Sequence, residues 1–272
     1  MSEALRNTDV AATDADLLAR TTIALRAAGS ALRERFGEVV HHRTREELTG
    51  ALAANDAAVL DILRPRLTHL RPQAGWVEDE LDGGALPPGE WWVVDPAEGN
   101  VNHLHALPEW AVTATLVREN RPVLTAVHLP STGETYTALA GAGAHLDGRP
   151  LNVSRTTDLG LSIVATSQAR PDEDEKVVRR VGSAITAMLL DALVVRTAVP
   201  ATLHLTNVAA GRIDGFWQYA GARADLLPGV LLVTEAGGRI SDAQGRPWTM
   251  RSESFLATAP GVHAEAVTTL SR

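Results

Sequence analysis

The chain contains no cysteine in its 272 residues. Disulfides, thiolate nucleophiles and sulfur-ligated metals are thereby excluded, so any bound metal must take oxygen or imidazole ligands. Lysine is nearly absent too, Lys176 being the only one, and basic character rests on arginine. The formal charge of −8 leaves nothing to offset phosphate repulsion at a nucleic-acid or anionic-membrane surface. No apolar run approaches a membrane span, and MSEALRNTDVAATDADLLAR has no apolar core of signal-peptide length. These absences point to a cytoplasmic protein with neither nucleic-acid nor membrane partners. What remains is an ordinary globular composition, 45% apolar and 21% charged. The length suits one large domain or two interlocked halves.

The pattern along the chain predicts α+β followed by α/β. Residues 14–36 carry helical spacing, with Leu17, Leu18, Ile23, Leu25 and Leu32 able to share one face. Thr44 opens a second helix that runs through Val59 and Leu63 to Arg64-Pro65. Strand-like runs follow: WWVVD, AVTATLV, PVLTAVHLP, ETYTALA and the segment GAGAHLDGRPLNVS. A second half, 153–272 against 1–152, opens on the strand SIVATS. It continues with a helix started by Pro171 and Asp172–Glu175, a helix over 202–210, the strand RIDGFW, and the helix DLLPGVLLVTEA stopped at Gly237-Gly238.

Acids gather where strands end or helices begin: Glu78, Asp95, Glu98 and Asp225. Singly, each has an ordinary structural explanation. Glu78-Asp79-Glu80 fits a solvated loop, Asp95-Pro96 a turn opening, and Asp225 an N-cap. Asp95 strains that explanation, because it follows four apolar residues and emerges at the edge of the core, where an unpaired charge is costly. Gly99 lets the backbone come close to a ligand. Convergent hard oxygens in a chain without cysteine suit Mg²⁺.

WWVVDPAEGNVNHLHALPEWAVTATLV resembles the signature of the inositol monophosphatase family, W-[IV]-[IV]-D-P-[IL]-D-G-T-x-N-F-x-H followed by a strand. GWVEDE is similar to its G-E-E motif and GETYTALAGAGAHLDGRPLNVS to its hairpin. VAAGRIDGFW and ADLLPGVLLVTEAGGRISDAQG resemble two later segments, all in the family's order. The resemblance implies a layered α/β/α/β/α sandwich, a homodimer, and Mg²⁺-dependent hydrolysis of small phosphate esters, with Mn²⁺ as a possible substitute. It places metal ligands on Glu78, Asp95, the Ala97 carbonyl, Glu98 and Asp225, and phosphate on the backbone N–H groups of Gly99 and Asn100. Glu98 also falls among the implied substrate contacts.

The sequence departs from that pattern at several points. D-G-T is E-G-N here, so Glu98 adds a methylene against Mg²⁺'s strict octahedral demand. Asn100 replaces the threonine that orients the attacking water. Its aspartate partner falls on Asn55, with Asp56 one residue on and in place only if the helix register slips. An Asn pair holds water but takes no proton. The family's G-S-A-A segment falls on Val199-Pro200-Ala201-Thr202, which puts a substrate contact at Ala201, whereas Gly182-Ser183-Ala184 reads as a helix start. Gln218 stands where inositol-specific members carry a glutamate, Ala224 replaces a tryptophan, and the lysine upstream of the second helix is missing, with His41, His42 and Arg43 nearby. His103 and His105 form an H-x-H pair on what would be a strand, without a third ligand for zinc. Five tryptophans, Trp76, Trp91, Trp92, Trp110 and Trp217, read as core or pocket wall.

Two readings follow. The first is a phosphatase acting on a sugar, polyol or nucleotide phosphate other than inositol phosphate, with Glu78, Asn55 and Asn100 handling the water. The second is a member that has lost hydrolysis and binds a phosphorylated or acidic metabolite, or runs a different reaction in specialised metabolism.

Overall fold

Helix α1 (Glu3–Glu34) and helix α2 (Arg45–Leu70) lead into strands β1 (Gly75–Trp76) and β2 (Glu90–Glu98), then a short helix α3 (Asn100–Leu104). Strands β3 (Ala111–Arg118), β4 (Arg121–Leu129), β5 (Glu134–Leu139), β6 (Gly143–Leu146) and β7 (Arg149–Pro150) follow. Next come β8 (Ile163–Thr166), α4 (Glu175–Asp191), β9 (Val194–Thr197), α5 (Ala201–Ala209), β10 (Gly215–Tyr219) and α6 (Arg223–Glu235). The chain closes with β11 (Arg239–Ser241), β12 (Ser254–Thr258) and α7 (His263–Leu270). This computed structural model describes all residues except 1, 2, 38, 40, 79–83, 171, 172, 221 and 222, and describes side chains except in these and in 3–13 and 223.

The first sheet has the order β1-β2-β3-β4-β5-β6-β7, antiparallel apart from the β1–β2 pair. The second runs β11-β12-β10-β8-β9, with β8 parallel to both β9 and β10. Leu17, Leu25 and Leu32 of α1 and Val59, Leu63 and Leu67 of α2 cover Trp92, Val94 and Leu116 on one face of the first sheet. Ile23 instead lies 69% exposed. Between the sheets, Leu205 and Val208 of α5 and Leu231–Val233 of α6 pack against Val127 and Tyr136 on one side and Phe216 and Phe255 on the other. Met188 of α4 and Leu270 of α7 cover the outer face of the second sheet at Val164 and Trp217. The result is the expected α/β/α/β/α layering.

Several boundaries differ from the sequence expectation. Thr44 caps α2 as foreseen, its hydroxyl accepting from Glu47 N at 3.1 Å. The helix runs past Pro65 to Leu70, however. The proline costs about 3 kcal/mol in a helix interior, but stopping there would expose Leu67, which is fully buried. Such burial is worth about 1.5–3 kcal/mol. Arg71 beyond it also pairs with Glu90 (3.1 Å). Gly182 lies inside α4 rather than at its start, the N-cap being Asp174, whose carboxylate accepts from Lys176 N at 2.7 Å. Pro171 and Asp172 lie outside the described residues.

The fold aims β2 at the site. Alternation sends Trp92 and Val94 toward α1 and α2, and Val93 toward Ala224 and Leu227 of α6. Asp95, in phase with Val93, therefore emerges on the α6 side. The register shifts between Asp95 and Glu98, a bulge that brings Glu98 round to the same site. Helices α5 and α6 meet closely at Gly229, where a Cβ would stand 2.2 Å from Leu205 Cδ1. That close approach sets Thr202 against Asp225.

Candidate active site

Asp95, Glu98 and Asp225 converge, with a carboxylate oxygen from each lying within 4.8 Å of the others. Asp95 and Glu98 are buried, and Asp225 half-buried. Burial first, then the neighbouring Glu98 charge, pushes the Asp95 carboxyl well above its ordinary range, and the two side chains lie within hydrogen-bond reach. Two buried carboxylates this close repel unless a proton or a cation stands between them. All three donors are hard oxygens without sulfur or imidazole, which fits Mg²⁺ or Mn²⁺.

The surrounding backbone serves the same point. Thr202 N, in the first turn of α5, donates to Glu98 Oε1 at 3.4 Å, and Thr202 Oγ1 donates to the Asp225 carbonyl at 2.8 Å. Ala201 is buried beside it. Ala97 N donates to Asp95 Oδ1 at 2.9 Å. Gly99 takes a left-handed φ of 80° to begin α3, and a Cβ there would meet the Glu109 carbonyl at 2.6 Å. Only glycine serves at that turn.

Glu78 stands apart from the three acids. It is exposed and ion-paired with Arg64, whose guanidinium also lies 4.9 Å from the Trp76 ring centroid. Its expected place among the ligands is not where its side chain sits, because a cation on α2 holds it. Asp79 and Glu80 lie outside the described residues. The H-x-H pair also differs from expectation. It falls on helix α3 and its end, not a strand, so the two rings do not share a face: His103 is buried and His105 exposed. Burial holds His103 below its ordinary pKa, and its Nε2 donates to the Leu32 carbonyl at 2.9 Å.

Asn55 and Asn100 do meet. Asn55 Nδ2 donates to Asn100 Oδ1 at 2.8 Å and to His103 Nδ1 at 3.1 Å, while Asn55 Oδ1 accepts from Arg35 Nε at 2.8 Å. Asn100 Nδ2 donates to Leu52 O at 3.0 Å and to Asp56 Oδ1 at 2.8 Å. Asp56 thus reaches Asn100 alongside Asn55, with no slip of the helix required. Arg35 and Arg64 were not legible as neighbours of the site, since no local pattern marks a contact made across helices. Gln218 is buried on the β10 face shared with Phe216, and its Oε1 has no partner among the described residues.

The profile of the inositol monophosphatase family matches residues 14–272. The chain belongs to the inositol monophosphatase family. An inositol-1-monophosphatase from Rhizobium meliloti is 33% identical over 225 residues, covering 80% of this chain and 82% of that protein. The inositol monophosphatase structure from Anabaena superposes with a TM-score of 0.78 at 26% identity, covering 93% of this chain and 94% of that one. The extragenic suppressor protein suhB from Bartonella henselae gives 0.78 at 25% identity, covering 93% and 98%. Membership makes the chain an enzyme of a metal-dependent phosphatase family. Among the described residues no helix is long and apolar enough to cross a membrane.

Proposed function

We propose that this protein is a Mg²⁺-dependent phosphomonoesterase acting on a small, hydroxyl-bearing phosphate ester, with Mn²⁺ able to substitute. The observation that carries this reading is the convergence of Asp95, Glu98 and Asp225 within 4.8 Å at the edge of the core. These three carboxylates and the Ala97 carbonyl would hold the cation, and Glu78 would join them only by leaving Arg64. A divalent ion in such a cage neutralises phosphoryl charge and acidifies water. The chain itself supplies the rest: Gly99 and Asn100 offer backbone N–H groups to phosphate, and the unpartnered Gln218 Oε1 offers an acceptor to a substrate hydroxyl. Loss of hydrolysis was suggested by the joint loss of the threonine and aspartate at the Asn55–Asn100 pair and of the G-S-A-A segment. Asp56, hydrogen-bonded to Asn100, bears on the first of these grounds and removes it. For the homodimer implied by the family, the β9 edge of the second sheet is the candidate face, with Leu189, Leu190, Leu193 and Val194 exposed around it.

The test is phosphate release from a panel of polyol, sugar and nucleotide monophosphates with Mg²⁺ against chelator. Failure of every ester to give Mg²⁺-dependent release would sink the reading. Within the panel, inositol 1-phosphate is expected below about 1 s⁻¹, at the low end of enzyme turnover, because a neutral amide accepts hydroxyl hydrogen bonds at roughly half the strength of a carboxylate. Gln218→Glu should raise kcat/KM for inositol 1-phosphate by about tenfold, the equivalent of ~1.4 kcal/mol. An unchanged or lower value would show that Gln218 does not face the substrate.

A further inference from the structure

At the end of the first sheet opposite the acids, the β3–β4 hairpin, α6 and the β11–β12 connection leave a cleft of about 600 Å³. Small-molecule sites span about 300–1,000 Å³. The β2–β3 register pairs Glu98 with Ala111 at the acid end and Glu90 with Arg118 at the other, seven residues along β3. At roughly 3.4 Å per residue the hairpin stands about 24 Å from the acid cluster. The cleft is no extension of the candidate active site.

Its apolar lining comes from Val230 of α6, Pro122 of β4, and Trp248 and Met250 of the connection, all half-buried. Trp248 is braced by Phe255, whose ring stands perpendicular to it with 5.5 Å between centroids. Gly84 N donates to Met250 O at 3.0 Å and ties that wall to the chain before β2. An indole and a thioether in one lining favour an aromatic guest, which gains from both beyond its buried area. The polar groups around this lining divide by sign. The Glu119 carboxylate is engaged by the framework, Oε1 accepting from Gly89 N at 2.8 Å. Asn120 closes on Leu86, accepting from its N–H at 2.7 Å and donating to its carbonyl at 3.1 Å. Arg121 and Arg251 line the cleft exposed, and neither pairs with an acid among the described residues. In a chain of formal charge −8, two uncommitted guanidinium groups beside an apolar lining match an anion. Guanidinium also stacks on aromatic faces and forks onto the oxygens of a carboxylate or phosphate.

We propose that this cleft is a binding site for a small aromatic acid, a ring system carrying one anionic group. The ring lies against Trp248 and Met250, and the anionic group sits between Arg121 and Arg251. The site is independent of the phosphate-ester chemistry at the acids.

The experiment titrates the full chain with 8-anilinonaphthalene-1-sulfonate, whose fluorescence rises on binding, and with N-phenyl-1-naphthylamine, its counterpart without the sulfonate. Chelator is present, so that no cation draws the sulfonate to the acids. The sulfonate should saturate at one per chain and bind about tenfold more tightly than the neutral probe. Arg121→Gln combined with Arg251→Gln removes two positive charges, and Arg251→Glu alone changes the charge by the same amount. Each should weaken the sulfonate about tenfold, the scale of two exposed charge contacts, and leave Tm and the neutral probe unchanged. Two routes to one charge change keep the test decisive if either variant folds poorly. Leu190→Ser, at the exposed edge of the second sheet, should change nothing. Sulfonate affinity that stays within about threefold of wild type in both arginine variants overturns the proposal. So does affinity lost in Leu190→Ser, which would place the probe at the β9 edge. Affinity that falls as chain concentration rises also overturns it, by giving the cleft to a second copy of the chain.

Discussion

Asp95→Asn should abolish Mg²⁺-dependent phosphate release while raising the Tm of the metal-free protein. The two effects share one cause. Asp95 is buried beside Glu98, and burial together with that like charge holds its carboxyl well above the ordinary value of 3.8. In metal-free protein the folded state therefore keeps this proton to higher pH than the unfolded chain does. Stability must then fall as pH rises from the ordinary carboxylate range toward the raised folded value, because the unfolded state binds fewer protons there. An asparagine carries no charge to repel Glu98, and its amide can donate to that carboxylate, so the pH-dependent loss disappears. Each kcal/mol relieved is about 2–4 °C in Tm for a domain somewhat smaller than this one. The same change removes one of the three carboxylates that would hold the cation. Mg²⁺ at about 100 times its Kd would add ~2.7 kcal/mol to the wild type and much less to the variant. Several kcal/mol of lost transition-state stabilisation corresponds to about 10³-fold or more in rate. Thermal melts across pH, with chelator and with Mg²⁺, read all of this at once. A variant melting below the metal-free wild type at pH 7, or keeping its Mg²⁺ response, would refute the cage at Asp95.

How much of this site could be read in advance depended on how local each signal was. The run of four apolar residues into Asp95 is a short-range pattern, and it located β2 and its exit from the core, whereas the bulge that brings Glu98 round emerged only from the pairing of β2 with β3. Asp225 was legible for the same reason, standing early in a helix with apolar spacing. The succession of elements gave α+β followed by α/β, apart from β9, β11, β12 and α7, which are short and were left unassigned; the layer order was implied by the family resemblance. What escaped was decided by contacts between elements. Glu78 looks like any motif acid until Arg64, fourteen residues earlier on α2, takes hold of it. Helix α2 was expected to end at Pro65 because proline penalises a helix locally, while the burial of Leu67 and the Arg71–Glu90 pair that together offset it are tertiary. The choice between Asn55 and Asp56 could not be made by counting, since neighbouring residues on a helix diverge by only about 100°, and the amide of Asn100 reaches past one to the other.

That reach leads to the sharpest expectation for this site, an exchange of bases between two positions. Asn55→Asp alone should be harmful. The new carboxylate would face Asn100 Oδ1 and His103 Nδ1, two acceptors where the amide now donates, at a cost of about 1–3 kcal/mol. Arg35 offsets part of this, and His103 can offset more by taking up a proton. That gain would be complete below the ordinary histidine pKa and lost as pH rises through the raised folded one. Asn100→Thr alone should also be harmful, since it unties the Asp56 carboxylate. Made together, the two changes give the new hydroxyl a carboxylate to donate to and rebuild the pair that resemblance led us to expect. The two must therefore couple rather than add. If Asp56 is the base of the wild type, Asp56→Asn should cost about 10²–10⁴ there but less than about tenfold in the double variant, whose base has moved to position 55. Equal damage in both backgrounds would mean that Asp56 does something other than accept the proton. A double variant that binds Mg²⁺ normally yet releases no phosphate, with or without Asp56, would show that neither carboxylate reaches the water and that the pocket serves another reaction.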